Sequence, residues 1–219
     1  MNSSETVSIR AKHPLWIRWA HWINFPFLAL MLFSGVEIYW AHDAYTPFIP
    51  DAFYSALGLN YHLADGMALH FTAAWVFAVN GILYAAYLAL SGEWREMLPK
   101  PVHLGQAVQV VLHDLKLRKT LPPQGKFNAA QRIAYTSVVV MGMVAVASGF
   151  AIYKPIQLSW LTALFGGYEG ARLVHFLMAV GIVAFFVVHI AQVIRAGWNN
   201  FQAMVTGIEV EHGPDDRQG

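Results

Sequence analysis

Three observations on this 219-residue chain predict an all-α integral membrane protein, a four-helix bundle. They are its 57% hydrophobic and 12% charged content, four long runs free of charged residues, and Lys and Arg crowded on one side of those runs. The uncharged runs are residues 19–36, 66–92, 133–153 and 173–194. Each is close to the roughly 20 residues that cross a bilayer, and extending them to natural helix ends gives spans of about 15–40, 66–92, 129–153 and 169–197. A fifth uncharged run, 155–168, is too short to cross. It contains Pro155, Gly166 and Gly167 and reads as an interfacial loop or short helix.

The charges orient the spans. Three Lys or Arg precede the first, none fall between the first and second, seven lie between the second and third, two between the third and fourth, and two follow. By the positive-inside rule both termini and the long middle segment are cytoplasmic. Trp16, Trp19, Trp22, Trp94 and Trp198 then lie at inner ends, and Trp40 and Trp160 at outer ones, as an aromatic belt requires. In the middle segment Val108, Val111, Leu112 and Leu115 recur at helical spacing beside Lys116, Arg118 and Lys119, so it holds a short amphipathic helix on the inner membrane surface. Residues 1–208 form one membrane domain, and the polar stretch 209–219 reads as a disordered cytoplasmic tail. No cleavable leader is evident, because the apolar run after Arg18 continues to Trp40 without a small-residue cleavage site.

Fourteen Lys and Arg against thirteen Asp and Glu leave a formal charge of +1, which excludes a basic nucleic-acid-binding face. Without cysteine there is no disulfide, no iron–sulfur cluster, no zinc–thiolate site and no covalent haem attachment. The chain has ten His. Six of them, at 13, 42, 62, 103, 113 and 212, lie outside the apolar cores and read as solvated or interfacial. The other four lie within: His21 near the inner end of span one, His70 near the outer end of span two, and His175 and His189 near the two ends of span four. A polar side chain at membrane depth needs a reason, since hydrocarbon offers it no partner.

His175 and His189 are fourteen residues apart, which places them within about 40° on one helix face and about 21 Å apart along it. At the outer level the available partner is His70, and at the inner level His21. Two facing imidazoles at one depth are what a six-coordinate haem iron takes on its axial positions, with the porphyrin edge-on between helices. The expected cofactors are therefore two haems, one held by His70 and His175 outside and one by His21 and His189 inside. A zinc or copper site would draw its ligands together instead of dividing them between two surfaces. A proton-relay transporter would place a carboxylate inside a span, and the uncharged cores have none. Met178, three residues from His175, is read as packing. Gly35, Gly81, Gly142 and Gly149 offer room between helices, and Ile182 should sit between the two haem levels.

The segments HPLWIRWAHWINFP from His13, LHFTAAW around His70, KFNAAQR from Lys126 and the His175 to His189 spacing carry a family resemblance. They resemble the bacterial di-haem cytochrome b561-type subunits of nickel–iron hydrogenases, formate dehydrogenases and thiosulfate reductases, the last group most. The resemblance covers His13 to about Val210. It implies a bacterial inner-membrane subunit moving electrons between the quinone pool and a periplasmic redox partner, a molybdopterin protein. It also implies a quinone site near the inner haem, for which Asn128 and Gln131 are the candidates. The same two residues suit a capping box at the start of span three. Arg18, Lys126, Arg132 and Arg195 are candidate propionate partners inside, and Lys154 and Arg172 outside, the last two because they defy the charge rule. The alternative is a self-contained enzyme similar to the superoxide:quinone oxidoreductases of the same fold, with Lys154 and Arg172 guiding the anion. A haem-free anchor or transporter remains as a third reading.

Overall fold

A computed structural model of the chain describes residues 7–41, 51–56, 63–123 and 127–212. Its elements in chain order are β1 (Val7–Ala11), α1 (Leu15–Trp40), α2 (Asp51–Ala56), α3 (Leu63–Ser91), α4 (Trp94–Met97), α5 (Pro101–Asp114), α6 (Ala129–Tyr153), α7 (Ser159–Leu164), α8 (Tyr168–Ala196), α9 (Trp198–Thr206) and β2 (Ile208–His212). Four helices, α1, α3, α6 and α8, are long and apolar enough to cross a membrane. At 1.5 Å per residue even the 25-residue α6 reaches about 37 Å, more than the hydrocarbon thickness. The chain is thus a multi-pass membrane protein with the all-α bundle that its sequence predicts. Large apolar side chains such as Ile82, Leu90, Val187 and Ile194 point outward, where lipid rather than water meets them.

The bundle is two helix pairs. α1 packs along α3, and α6 along α8, whereas α3 only grazes α6. Between α1 and α3 the glue is polar: Asn80 Nδ2 donates to Ala20 O at 2.9 Å and to Asn24 Oδ1 at 2.7 Å. In lipid such bonds supply association that the hydrophobic effect does not. Across the pairs the contact is made by aromatic tips instead of close backbones. Tyr39 stacks on Phe176 at 5.7 Å, Phe71 meets Tyr153 at 4.5 Å and Trp75 meets Phe150 at 5.6 Å. The middle of the bundle is correspondingly thin, since among the described residues no side chain larger than that of Ser34 or Ser148 is fully buried.

α5 is the amphipathic surface helix expected in the middle segment, and it packs against α6. The short run 155–168 contains α7, tied to the end of α6 by Thr162 Oγ1 donating to Ala151 O at 3.1 Å. α6 begins with the expected capping box: Asn128 Oδ1 accepts from Gln131 N at 2.9 Å, and Gln131 Oε1 from Asn128 N at 3.0 Å.

The tail differs from expectation. Residues 209–212 belong to β2, which pairs antiparallel with β1 in the register Val7 to His212 through Ala11 to Ile208. Lys12 Nζ bridges Glu209 at 2.7 Å and Asn200 at 2.9 Å, Arg18 Nη1 donates to Val205 O at 2.6 Å, and Trp22 Nε1 to Met204 O at 3.0 Å. Gly197, at φ 81°, breaks α8 from α9, and Gly207, at φ 88°, turns the chain from α9 into β2. Residues 213–219 of the expected tail lie outside the described residues, as do His42, His62 and Lys126.

This topology is testable because the chain has no native cysteine. Cysteines placed singly at the exposed positions Arg118 and Thr206 should react with an impermeant maleimide in inside-out vesicles, and one at exposed Gln157 in spheroplasts. Labelling of all three from one side would refute the four-span arrangement.

Candidate functional site

The four histidines meet as two pairs across the gap between the helix pairs. His70 on α3 faces His175 on α8, their ring centroids 6.1 Å apart and their planes at 71°. His21 on α1 faces His189 on α8 with the same 6.1 Å separation, at 57°. The rings that share a depth are the rings that lie side by side. Ile182, midway between the two α8 histidines, is buried.

The outer pair is held in one tautomer. Ser34 Oγ donates its single hydrogen to Leu30 O at 2.6 Å, so toward His70 Nδ1, 3.0 Å away, it can only accept. His175 Nδ1 lies 2.9 Å from Ala145 O, a group that only accepts, with Ser148 Oγ at 3.2 Å. Both rings therefore carry hydrogen on Nδ1 and a lone pair on Nε2, the state in which imidazole binds a metal while its far nitrogen is anchored.

The anchors come from a repeated device. Ser34 and Gly35 on α1, and Ser148 and Gly149 on α6, are Ser-Gly pairs at equivalent places on the two helices without an outer histidine. A Cβ at Gly35 would stand 3.5 Å from His70 Cε1, and one at Gly149 would stand 3.2 Å from His175 Cε1. The serine fixes the ring and the missing side chain leaves it room. Sequence pattern singles out both glycines but not the serines, although the twin Ser-Gly dipeptide is a signal that could have found them.

The inner pair is built differently. His189 stacks on Phe185 at 5.6 Å and 11°, and His21 meets the Trp22 ring edge-on at 5.1 Å. His21 Nδ1 is buried without a hydrogen-bond partner, an unsatisfied polar atom in an interior that rarely tolerates one.

These residues fit a metal held between two imidazoles. Metal–nitrogen bonds of about 2 Å on both sides of one ion, plus the half-widths of two rings, put the centroids about 6 Å apart. Among the described residues no group of three or more His, Asp or Glu is placed to hold a bare ion, so the site suits a metal that brings its own equatorial ligands.

Other candidates are placed as follows. Asn128 and Gln131, besides capping α6, line a cavity of about 300 Å³ at the inner end, with Val110, His113, Asp114, Leu121, Gln192 and Arg195 among its walls. Three of the inner cations are engaged by protein groups: Arg18 by Val205 O, Arg132 by Glu96 at 3.0 Å, and Arg195 by Asp114. Outside, Arg172 pairs with Glu169 at 3.2 Å, and the Lys154 ammonium sits 4.5 Å over the Tyr153 ring. The uncharged run of span one stops at Val36, just short of Glu37, but α1 continues to Trp40 and buries Glu37 against Gly66 of α3.

The sequence matches the family described as prokaryotic cytochrome b561 over residues 12–207. A curated relative from Azospira oryzae, named "Putative protein-methionine-sulfoxide reductase subunit YedZ1", is 36% identical over 186 residues, covering 84% of this chain and 91% of the relative. The chain belongs to the prokaryotic cytochrome b561 family and is a membrane haem subunit of that kind.

The glycine cradles make a prediction. Gly35→Leu or Gly149→Leu drives a side chain into the outer histidines and should cut bound haem by up to half. Gly81→Ala, with nothing within 4 Å of the added Cβ, should leave it unchanged. The pyridine-haemochrome ratio of haem to protein measures both, and full haem content in the two leucine variants would contradict the cradle.

Proposed function

We propose that this chain is a di-haem b subunit of the bacterial cytoplasmic membrane that passes electrons between the quinone pool and a periplasmic oxidoreductase. The observation that carries the reading is the pair of facing histidines at each of two depths on one helix, both at a 6.1 Å ring separation. His21 and His189 would hold the inner haem, and His70 and His175 the outer. Haem between such ligands supplies reversible one-electron transfer.

The chain's own groups do the rest. Ser34 Oγ and Ala145 O keep the outer imidazoles in the ligating tautomer. Buried Ile182 and the aromatic tips at the seam exclude water from the space between the levels. At the inner end Asn128 and Gln131 use their carbonyl oxygens for the capping box, which leaves both amide NH2 groups as donors lining the cavity. Two donors suit a quinone carbonyl, and the depression that these residues line opens at the inner end of the bundle.

The periplasmic partner is a reductase subunit that carries the substrate chemistry, of molybdopterin type. The name of the Azospira oryzae relative supports a partner that acts on oxidised methionine in proteins, instead of the sulfur oxyanion that the thiosulfate-reductase resemblance suggests. Lys154 and Arg172 stand at the outer end, where that partner or the haem propionates would meet them. For a self-contained superoxide:quinone oxidoreductase the pairing of Arg172 with Glu169 is unfavourable, because it neutralises half of the cationic approach.

Two haem b groups per purified chain are expected in the reduced-minus-oxidised spectrum. His70→Ala and His175→Ala should remove mainly one haem, and His21→Ala and His189→Ala mainly the other, distinguishable by redox titration. Equal loss of both in all four variants would contradict the pairing.

The two roles of Asn128 can be separated. Asn128→Ser keeps a capping oxygen, so thermal stability should hold, whereas Asn128→Ala should lose about 1 kcal/mol. Both should slow quinol-driven haem reduction several-fold with the spectrum intact. A serine variant as fast as the parent would confine Asn128 to capping.

A further inference from the structure

The inner cavity contains one group that its amide donors do not explain. α5 contributes His113 and Asp114 to the lining, α6 Gln131, and α8 Gln192 and Arg195. Asp114 is committed: Arg195 Nη2 donates to one carboxylate oxygen, and Gln192 Nε2 donates to the other at 3.3 Å. The Arg195 hydrogen bond holds that carboxyl below the usual aspartate range, so it stays a fixed anion at neutral pH.

His113 is not committed in this way. Its Nδ1 is buried and has no hydrogen-bond partner, and Asp114 Oδ1 is 3.7 Å away, near enough to stabilise a positive ring but too far to bond it. About a third of the side chain (31%) is nevertheless exposed, giving it a route to water. The other polar lining groups are amides, which do not titrate, an arginine, which does not release its proton, and the committed Asp114. Among the described residues that line the cavity, the charged groups beside His113 are Asp114 on its own helix and Arg195 on α8. The lining residues of α6 and of the segment before it, Gln131, Leu121 and Asn128, carry no charge.

We propose that His113 is the proton acceptor of this cavity when a benzoquinol is oxidised there, a role that rests on the quinone reading given above. One quinol oxygen takes the amide donors of Asn128 and Gln131, and the hydroxyl on the far side of the ring meets His113. On oxidation that O–H bond breaks and its proton passes to the imidazole. The second hydroxyl proton goes to water at the cavity mouth, and the two electrons go to two oxidised b haems, one each. His113 then yields its proton to water on the inner side, stabilised until then by the Asp114 charge. The products are one quinone, two reduced haems and two protons.

The test uses the haem-loaded full chain in nanodiscs, with decylubiquinol as reductant and decylubiquinone as the binding probe. His113→Ala should be slower by about a hundredfold or more, the low end of what a general base contributes. Decylubiquinone affinity by calorimetry should change less than about threefold, and added imidazole should restore part of the rate. His113→Gln, which keeps a hydrogen-bonding side chain but cannot take a proton, should be as slow as the alanine variant, and decides the matter if that variant loses haem. Parent-like rates in the glutamine variant, with binding intact, overturn the role of His113 and leave the quinone site standing. Failure of decylubiquinone to bind the parent chain overturns the quinone reading itself.

Discussion

Everything in this bundle depends on the distance at which its two helix pairs are held. Protein interiors normally fill to crystal-like density, and a cleft between two helix pairs would close if small apolar side chains lined it. Here Phe25 meets Phe186, Tyr39 meets Phe176, and Trp75 meets Phe150, so aromatic tips set the distance between the pairs. Lipid provides no hydrophobic force to squeeze the pairs together, and α1 is bound to α3 by the Asn24 and Asn80 hydrogen bonds instead. The imidazoles reach into the space so defined. Among the described residues the buried His21 Nδ1 has no hydrogen-bond partner, and a cofactor bound only by the folded chain would stabilise it, as a ligand does whenever the unfolded chain lacks the site.

The parts of this arrangement that follow from local pattern are legible in the sequence. Uncharged runs mark the spans, a fourteen-residue interval places His175 and His189 on one face, and Asn128 with Gln131 announces a capping box that the structure contains. What escapes depends on which helices become neighbours. Ser34 is an ordinary serine until α1 lies beside α3, and Ser148 until α6 lies beside α8. Asn80 gives no signal because its partners, Asn24 and Ala20 O, are more than fifty residues away.

The same limit explains the strand and the inner cations. Residues 208–211 alternate apolar and charged side chains, a pattern that looks like tail until Val7–Ala11 arrives from the other terminus to pair with it. Arg18, Arg132 and Arg195 suit haem propionates on sequence grounds only because they lie at the inner surface. They are bound by α9, α4 and α5, three short helices whose placement against the bundle no local pattern supplies. A basic residue at a membrane surface answers first to the charge rule and to the nearest protein acceptor, so depth alone is weak evidence that it meets a cofactor.

Depth is much stronger evidence for histidine, because of α8. This 29-residue helix carries His175, His189, Gln192 and Arg195, which serve the outer pair, the inner pair and the inner cavity in turn. A rigid helix fixes their mutual distances at about 1.5 Å per residue whatever the loops do. An insertion of one residue between 175 and 189 would turn the two imidazoles about 100° out of register, so that both pairs could not form at once, whereas insertions in the segment before α6 would leave them facing. Functional sites held to fractions of an ångström belong on such elements. The helix that acts as the ruler is also the one whose histidine spacing can be read from residue numbers alone, because a single unbroken helix needs no knowledge of its neighbours to fix the angle between its own side chains.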